Sequence, residues 1–322
     1  MNAKTKNILK TAIPLLLGAF LIWISLSKLT ESEIHKISDS FYNANYWWVA
    51  LSLCIGVLSH LSRAYRWKFM LKPLGYQPKF YNSAMSVFIA YLVNLGIPRA
   101  GEISRAATIQ QYENVPFEKA FGTIVAERLA DMIVYFFLIA LAFIAQYDLI
   151  RDLLITKTPK NPTLILFILT IIIIGGFLFF KAIKNSQNSF FKKIRSFTKG
   201  LYEGVQTILT MEKKWAFIAH TLFIWFAYVL MLYVVIFALP ETEKIGLGAV
   251  LICFVMGTFA FATTNGGIGS YPYIIQQTLL LYLIPEAIGA SFGWIMWTSQ
   301  TLLIIVLGGL SFILLPILNK SR

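Results

Sequence analysis

Charge is what this sequence has least of. Only 13% of its 322 residues are charged, against about 25% in a soluble globular domain. A compact fold with so little polar surface could not cover itself in water. That excludes a soluble enzyme, a disordered chain and a secreted disulfide scaffold. Cysteine is nearly lacking too: Cys54 and Cys253 lie in apolar runs and read as packing residues. The three histidines, His35, His60 and His220, are too far apart for metal-ligand spacing. No Ser/His/Asp or Cys/His arrangement and no Walker loop occurs. Catalysis, a metal and a cofactor are therefore not expected.

What is there is apolar: 57% hydrophobic and 15% aromatic residues. This composition predicts an all-α polytopic membrane protein. A bilayer core of about 30 Å takes about 20 apolar helical residues. Full spans are expected at residues 12–29, 46–65, 123–146, 163–181, 215–239 and 288–316. The first follows Lys4, Lys6 and Lys10 and ends near Ser25-Leu26-Ser27, as a signal peptide would. An uncleaved anchor is expected instead, since a polytopic protein needs no cleavage. Three further runs, 82–97, 246–264 and 271–285, are short or interrupted. The first ends at Gly96-Ile97-Pro98-Arg99-Ala100-Gly101, and Thr263 to Ser270 separates the other two. Proline and glycine weaken a helix there. In lipid, freed backbone groups are tolerated only against protein or a wet cavity. Two re-entrant or broken elements, 82–109 and 246–285, are therefore expected alongside about six spans.

Net charge is +13. If the two broken elements dip in from opposite faces, 21 of the 28 Lys and Arg residues fall on one side and six on the other, with Arg128 inside a span. The positive-inside bias assigns the rich side, with both termini and the basic loop 182–214, to the cytoplasm. The membrane thus accounts for the charge, and nucleic acid is not an expected partner. Tyr46-Trp47-Trp48 and Tyr65/Trp67 are spaced as two interfacial belts. In a single integral membrane domain, residues 1–146 and 163–316 read as the same series of elements starting from opposite sides. Such an inverted repeat would place substrate at the midplane between broken helices.

Three stretches carry the candidate chemistry. The first holds Asn94, Arg99, Gly101, Glu102 and Arg105. A helix starting near Gly101 would present free N–H groups, and the two arginines would add guanidinium forks suited to phosphate. The alternative is a cytoplasmic loop obeying the charge bias. The second is Asn265, Gly266, Gly267, Gly269 and Ser270: either a polar lip around a headgroup, with Ser270 capping a helix, or close helix packing. The third is Glu127-Arg128-Asp131, in which Glu127 and Asp131 share a helix face and Arg128 reaches Asp131. Intramembrane charge of this kind is functional by default, against the alternative of an interfacial pair fixing helix depth. Arg63, Arg66 and Lys68 read as snorkelling residues ending a span, with Arg63 the deepest and the exception. Tryptophans and phenylalanines inside spans read as lipid-facing or packing residues.

In order along the chain come Arg63-x-x-Arg66-Trp67, Asn94-x-x-x-Pro98-Arg99-x-Gly101-Glu102-x-x-Arg105, Glu127-Arg128-x-x-Asp131 and Gly266-Gly267-Ile268-Gly269. This series resembles the membrane domain of bacterial lysylphosphatidylglycerol synthase/flippases and the stand-alone flippase-like membrane proteins related to it. The resemblance implies a multi-pass protein of the bacterial inner membrane that moves a polar, phosphate-bearing lipid headgroup, such as an anionic phospholipid or a lipid-linked intermediate. It also implies that the Arg99–Arg105 and Gly266–Gly269 elements face each other across a headgroup cavity. Lysyl transfer is not expected, since no aminoacyl-transfer domain follows before Arg322. The second glycine motif departs from the family pattern: Thr263-Thr264-Asn265 leads it, and Pro272 stands at the acidic position. The other functions kept open are a small-solute or ion secondary transporter and a non-transporting accessory subunit of envelope lipid or glycolipid synthesis. A homo-oligomer or an envelope-biosynthesis enzyme is the expected protein partner.

Overall fold

The structure, a computed structural model, describes residues 3–27, 29–97, 99–149, 151–152, 208 and 210–320, with side chains from Pro14 onward. Every regular element among them is helical. The expected span at 163–181 and most of the basic loop 182–214 lie outside the described residues, as does Pro98. Helix α1 (Ala3–Ser27) leads into α2 (Glu31–Asn43), then α3 (Tyr46–Leu71), α4 (Phe80–Gly96), α5 (Gly101–Glu113) and α6 (Phe117–Ala145). After the undescribed stretch come α7 (Lys214–Val235), α8 (Leu247–Thr263), α9 (Ser270–Leu280) and α10 (Glu286–Leu318). Among the described residues four stretches are long and apolar enough to cross a membrane: Tyr46–Leu74, Phe117–Ala145, Lys214–Ala238 and Glu286–Leu318. Each contains or largely overlaps an expected span.

The stretch between the first two expected spans contains a helix, α2. Pro14–Ser27 of α1 and the whole of α2 are bent by 110°. The sequence does carry the signal for α2. Thr30 and Glu33 form a capping box: Thr30 Oγ1 accepts from the Glu33 N–H, and the Glu33 carboxylate accepts from the Thr30 N–H at 2.8 Å. That bond holds the Glu33 carboxyl below the ordinary carboxylate range. Ile34, Ile37 and Phe41 share one face of α2, and Phe41 packs on the main core cluster.

Small residues set the closest helix pair. Ser52, Gly56 and Ser59 are spaced to line one face of α3, and the α7 backbone comes close enough for the Ser52 hydroxyl to donate to the Met231 carbonyl at 3.0 Å. Ser62 meets His220 at 2.8 Å, and Arg66 donates to Thr221 at 2.7 Å. As numbers rise on α3 they fall on α7, so the two run antiparallel.

The broken elements are helical hairpins. At the base of the first, Glu113 at the end of α5 accepts from the Lys79 backbone N–H and from the Asn82 side chain just inside α4. The chain thus enters along α4, turns at 97–100 with Arg99 at φ 63°, and returns along α5 to the side it left. The second hairpin is α8 and α9, with a 3-10 turn at Asn265–Gly267 between them. The Ser270 hydroxyl donates to the Ala260 carbonyl at 2.9 Å. A methyl group on Gly257 would meet the Tyr271 ring, so α9 folds back against α8.

Helix α10 shows that the hairpins enter from opposite ends. Its 33 residues span about 50 Å. Near its start Gly289 faces Gln276 and Gly293 faces Pro272, both on α9. In its middle the Trp297 indole N–H donates to the carbonyl of Gly266, at the second tip, at 2.8 Å. Further on Gly308 faces Leu92 and Phe88 of α4. At its end Asn319 and Asn82, at the base of the first hairpin, exchange amide hydrogen bonds of 2.9 and 3.0 Å. The hairpins therefore stack end to end along one helix, tips inward. The tips touch: a methyl group on Gly266 would stand 2.7 Å from Leu95 Cδ2.

Candidate functional site

The centre of the site is a buried ion-pair cluster built on the antiparallel register of α3 and α6. Arg63 and Arg66 share a face of α3, and Glu127 and Asp131 share a face of α6. Arg63 reaches Glu127 at 2.9 Å and Asp131 at 2.7 Å. Arg66 reaches them at 2.8 and 2.9 Å. Arg105, from α5, adds a contact to Glu127 at 3.2 Å, and Arg128 stands 3.7 and 3.6 Å from the two carboxylates. Four guanidiniums thus face two carboxylates, a formal excess of two positive charges. All are almost fully buried except Arg128, whose side chain is 38% exposed. Among the described residues the buried Arg63 Nε, Arg105 Nε and Nη2, and Arg128 Nε atoms have no hydrogen-bond partner.

Aromatic and hydroxyl groups complete the cluster. The Trp67 indole N–H donates to Thr123 at 2.8 Å, and the Arg105 guanidinium lies 4.0 Å from the centre of the Trp67 ring. The Trp225 indole N–H donates to Asp131 at 3.3 Å, and Tyr228 accepts from Arg63 at 3.3 Å while touching the Tyr91 hydroxyl at 3.1 Å. These contacts correct three expectations. Arg66 does not snorkel; it is as buried as Arg63. Trp67 is not a belt residue, since it is fully buried. Trp225 does more than pack. The sequence spacing, two basic residues three apart on one span and two acidic residues four apart on another, allows complementary faces but does not say that Arg66 turns inward.

A cavity of about 1330 Å³ opens beside the cluster. Of the expected site residues it is lined by Arg63, Asn94, Arg99, Glu102, Arg128, Asp131, Asn265 and Gly266. A side pocket of about 90 Å³ is lined by Arg63, Arg105, Arg128 and Glu102 among others. The two broken elements therefore do meet at a shared cavity, but not every residue in them faces it. Gly101 is a packing glycine: a methyl group there would collide with the Ala90 carbonyl and the Asn94 side chain. Its N–H, expected to be free for an anion, donates instead to Asn94 Oδ1 at 2.7 Å. Arg105 turns away from Arg99 toward Glu127. Ser270 does not cap α9; its hydroxyl ties the start of α9 to Thr264 and Ala260. Gly267 and Gly269 serve close packing, and Gly269, at φ 71°, presses against the α1 backbone at Gly18. Gly267 and Gly269 thus pack closely, while Asn265 and Gly266 line the cavity.

No solved structure matches the chain. Two curated proteins are similar to it. The UPF0104 membrane protein MJ1595 of Methanocaldococcus jannaschii is 29% identical over 171 residues, covering 52% of this chain and 49% of that protein. Glycosyltransferase AglD of Haloferax volcanii is 33% identical over 86 residues, covering 26% of this chain and 14% of that protein. The chain thus spans about half the length of the first relative and a small part of the second. The family model described as the lysylphosphatidylglycerol synthase TM region matches residues 11–309. The buried arginine–carboxylate cluster and the two opposed hairpins therefore belong to an integral membrane protein of the lysylphosphatidylglycerol synthase TM region family.

Proposed function

We propose that this protein translocates lipids with phosphate-bearing headgroups across a cytoplasmic membrane, with the base of the α4–α5 hairpin on the cytoplasmic side, and that it is not an enzyme. The supporting observation is the cavity between the hairpin tips. Its lining carries Arg63 and Arg128 within a cluster of net positive charge together with apolar side chains, among them Phe254, Phe261, Met296 and Ile304. An anionic headgroup suits the arginines and a hydrocarbon chain the apolar side chains. Guanidiniums pair with phosphate through two parallel N–H bonds, and their unpartnered N–H groups supply donors for it. The protein holds no ATP-binding motif in its sequence, so movement follows a gradient or is driven by an ion or a partner. An enzyme that makes or modifies the lipid, or a second copy of this chain, is the partner this role calls for.

The test is reconstitution in proteoliposomes with headgroup-labelled phosphatidylglycerol or polyprenyl phosphate, read by quenching from outside. Wild type should equilibrate at least one of the two lipids between leaflets. Arg128→Ala, the least buried arginine of the cluster, should slow this at least tenfold while folding normally. Solute uptake without movement of either lipid would favour a solute transporter instead.

A further inference from the structure

The part of the cavity lining that comes from α8 onward has a different chemistry: among the described residues no charged side chain contributes to it. Its polar groups include Asn265 on the second hairpin tip and Trp297, Gln300 and Thr301 on α10, beside the apolar Met296 and Ile304. Residues 297, 300 and 301 are three and four apart and share one helix face. The Trp297 indole N–H is committed to the Gly266 carbonyl, which fixes its ring as part of the wall. Gln300 donates to the Ser52 hydroxyl at 3.3 Å, and its amide oxygen, which lies beside Gly56, accepts no bond among the described residues. Asn265 is 4% exposed, and its buried side-chain oxygen has no partner among the described residues. Leaving such a group unmatched costs about 1–3 kcal/mol.

Amides and a hydroxyl both donate and accept hydrogen bonds. Beside an aromatic ring they match a ligand whose groups also do both and whose ring has an apolar face. An acyl chain gives the amides nothing, and a quaternary ammonium asks for carboxylates or a cage of rings. We propose that this part of the lining binds the hydroxyls of a sugar-like headgroup, so that the substrate is a glycosylated lipid phosphate. The phosphate lies toward Arg63 and Arg128, and the ring lies toward Asn265, Gln300 and Thr301. This rests on the lipid-translocation reading and narrows it to one class of lipid.

Electrostatics make the test sharp. A polyprenyl phosphate is a monoester carrying about −1.5 to −2, whereas its hexosyl diester carries less negative charge. A cavity that reads charge alone prefers the bare phosphate; one that reads hydroxyls reverses the order. Affinities of the two lipids for the full chain are measured in phosphatidylcholine nanodiscs, with hexose 1-phosphate as a soluble competitor. The hexosyl lipid should bind at least tenfold tighter. In Gln300→Leu/Thr301→Val this preference should vanish, with bare polyprenyl phosphate binding within twofold of wild type, which also shows that the variant folds. Asn265→Ala should narrow the preference in the same direction. Equal binding, or tighter binding of the bare phosphate, would overturn the sugar assignment while leaving the lipid reading standing. Binding of neither lipid would overturn both. Competition by hexose 1-phosphate as strong as the lipid-linked form would overturn the lipid-linked assignment in favour of a soluble sugar phosphate.

Discussion

Glu127 is the residue on which the buried charge depends. It contacts Arg63, Arg66 and Arg105 at 2.8 to 3.2 Å. Glu127→Gln leaves Arg105 without a carboxylate and Arg63 and Arg66 with Asp131 alone, and breaking a buried pair costs about 3–5 kcal/mol. The expected result is a large drop in unfolding temperature in detergent. Arg66→Met combined with Glu127→Gln should lose less than the two single changes added, because the Arg66–Glu127 pair is lost only once. Strict additivity would show that the two do not share the cluster. The carboxylates were legible in the sequence because charge inside an apolar run stands out. Arg66 was not, because a basic residue near the end of a span normally reaches for the headgroups. Only the register of α3 against α6 reveals that it points inward, and register is a tertiary property.

Elements carry their own tests. Gly266 adopts φ 59° and touches Leu95, so Gly266→Ala meets both backbone strain, about 1–2 kcal/mol, and a steric contact at the point where the hairpin tips join. Gly122, on the exposed face of α6 with open space around it, is the control. Gly122→Ala should be neutral or stabilise by about 0.4–1 kcal/mol, whereas Gly266→Ala should lower stability. In α2, Thr30→Ala removes one half of the capping box and should speed amide exchange in the first turn severalfold, since a lost cap costs about 1 kcal/mol. The Glu33 half depends on pH. Its carboxyl is held below its unfolded value, so its contribution is complete above that value and is lost as pH falls through the folded one. Exchange in α2 should therefore rise below about pH 4.5 in wild type and show no such step in Glu33→Gln. The interrupted helices were legible from Pro98 and the glycine cluster. The division of labour among the glycines was not, because one residue type serves a turn, a close approach and a cavity wall alike.

At the scale of the whole molecule, the opposed hairpins and the charge bias together predict how the protein sits in the bilayer. Lys79 lies at the base of the first hairpin, and Lys244 lies in the segment leading into the second; both are exposed. In a Cys54→Ser background, cysteines placed at the two positions should react with an impermeant thiol reagent from opposite faces of the membrane, the Lys79 position from the cytoplasm. Reaction of both from one face would remove the opposed arrangement. Apolar run length made the long helices readable, and the interruptions marked the hairpins. The shared seat of both hairpins on α10 was hidden, because Gly289, Gly293 and Gly308 look like ordinary helical glycines until their neighbours are known. That seat gives the molecule two doors on a single vestibule. Each door is a separate length of chain hung on the same post, and the latch between them is the contact of Leu95 with Gly266. In the proposed translocation, a passenger that parts the latch would need neither long helix to tilt, and the seal of the bilayer outside the vestibule would be kept while its occupant changes sides.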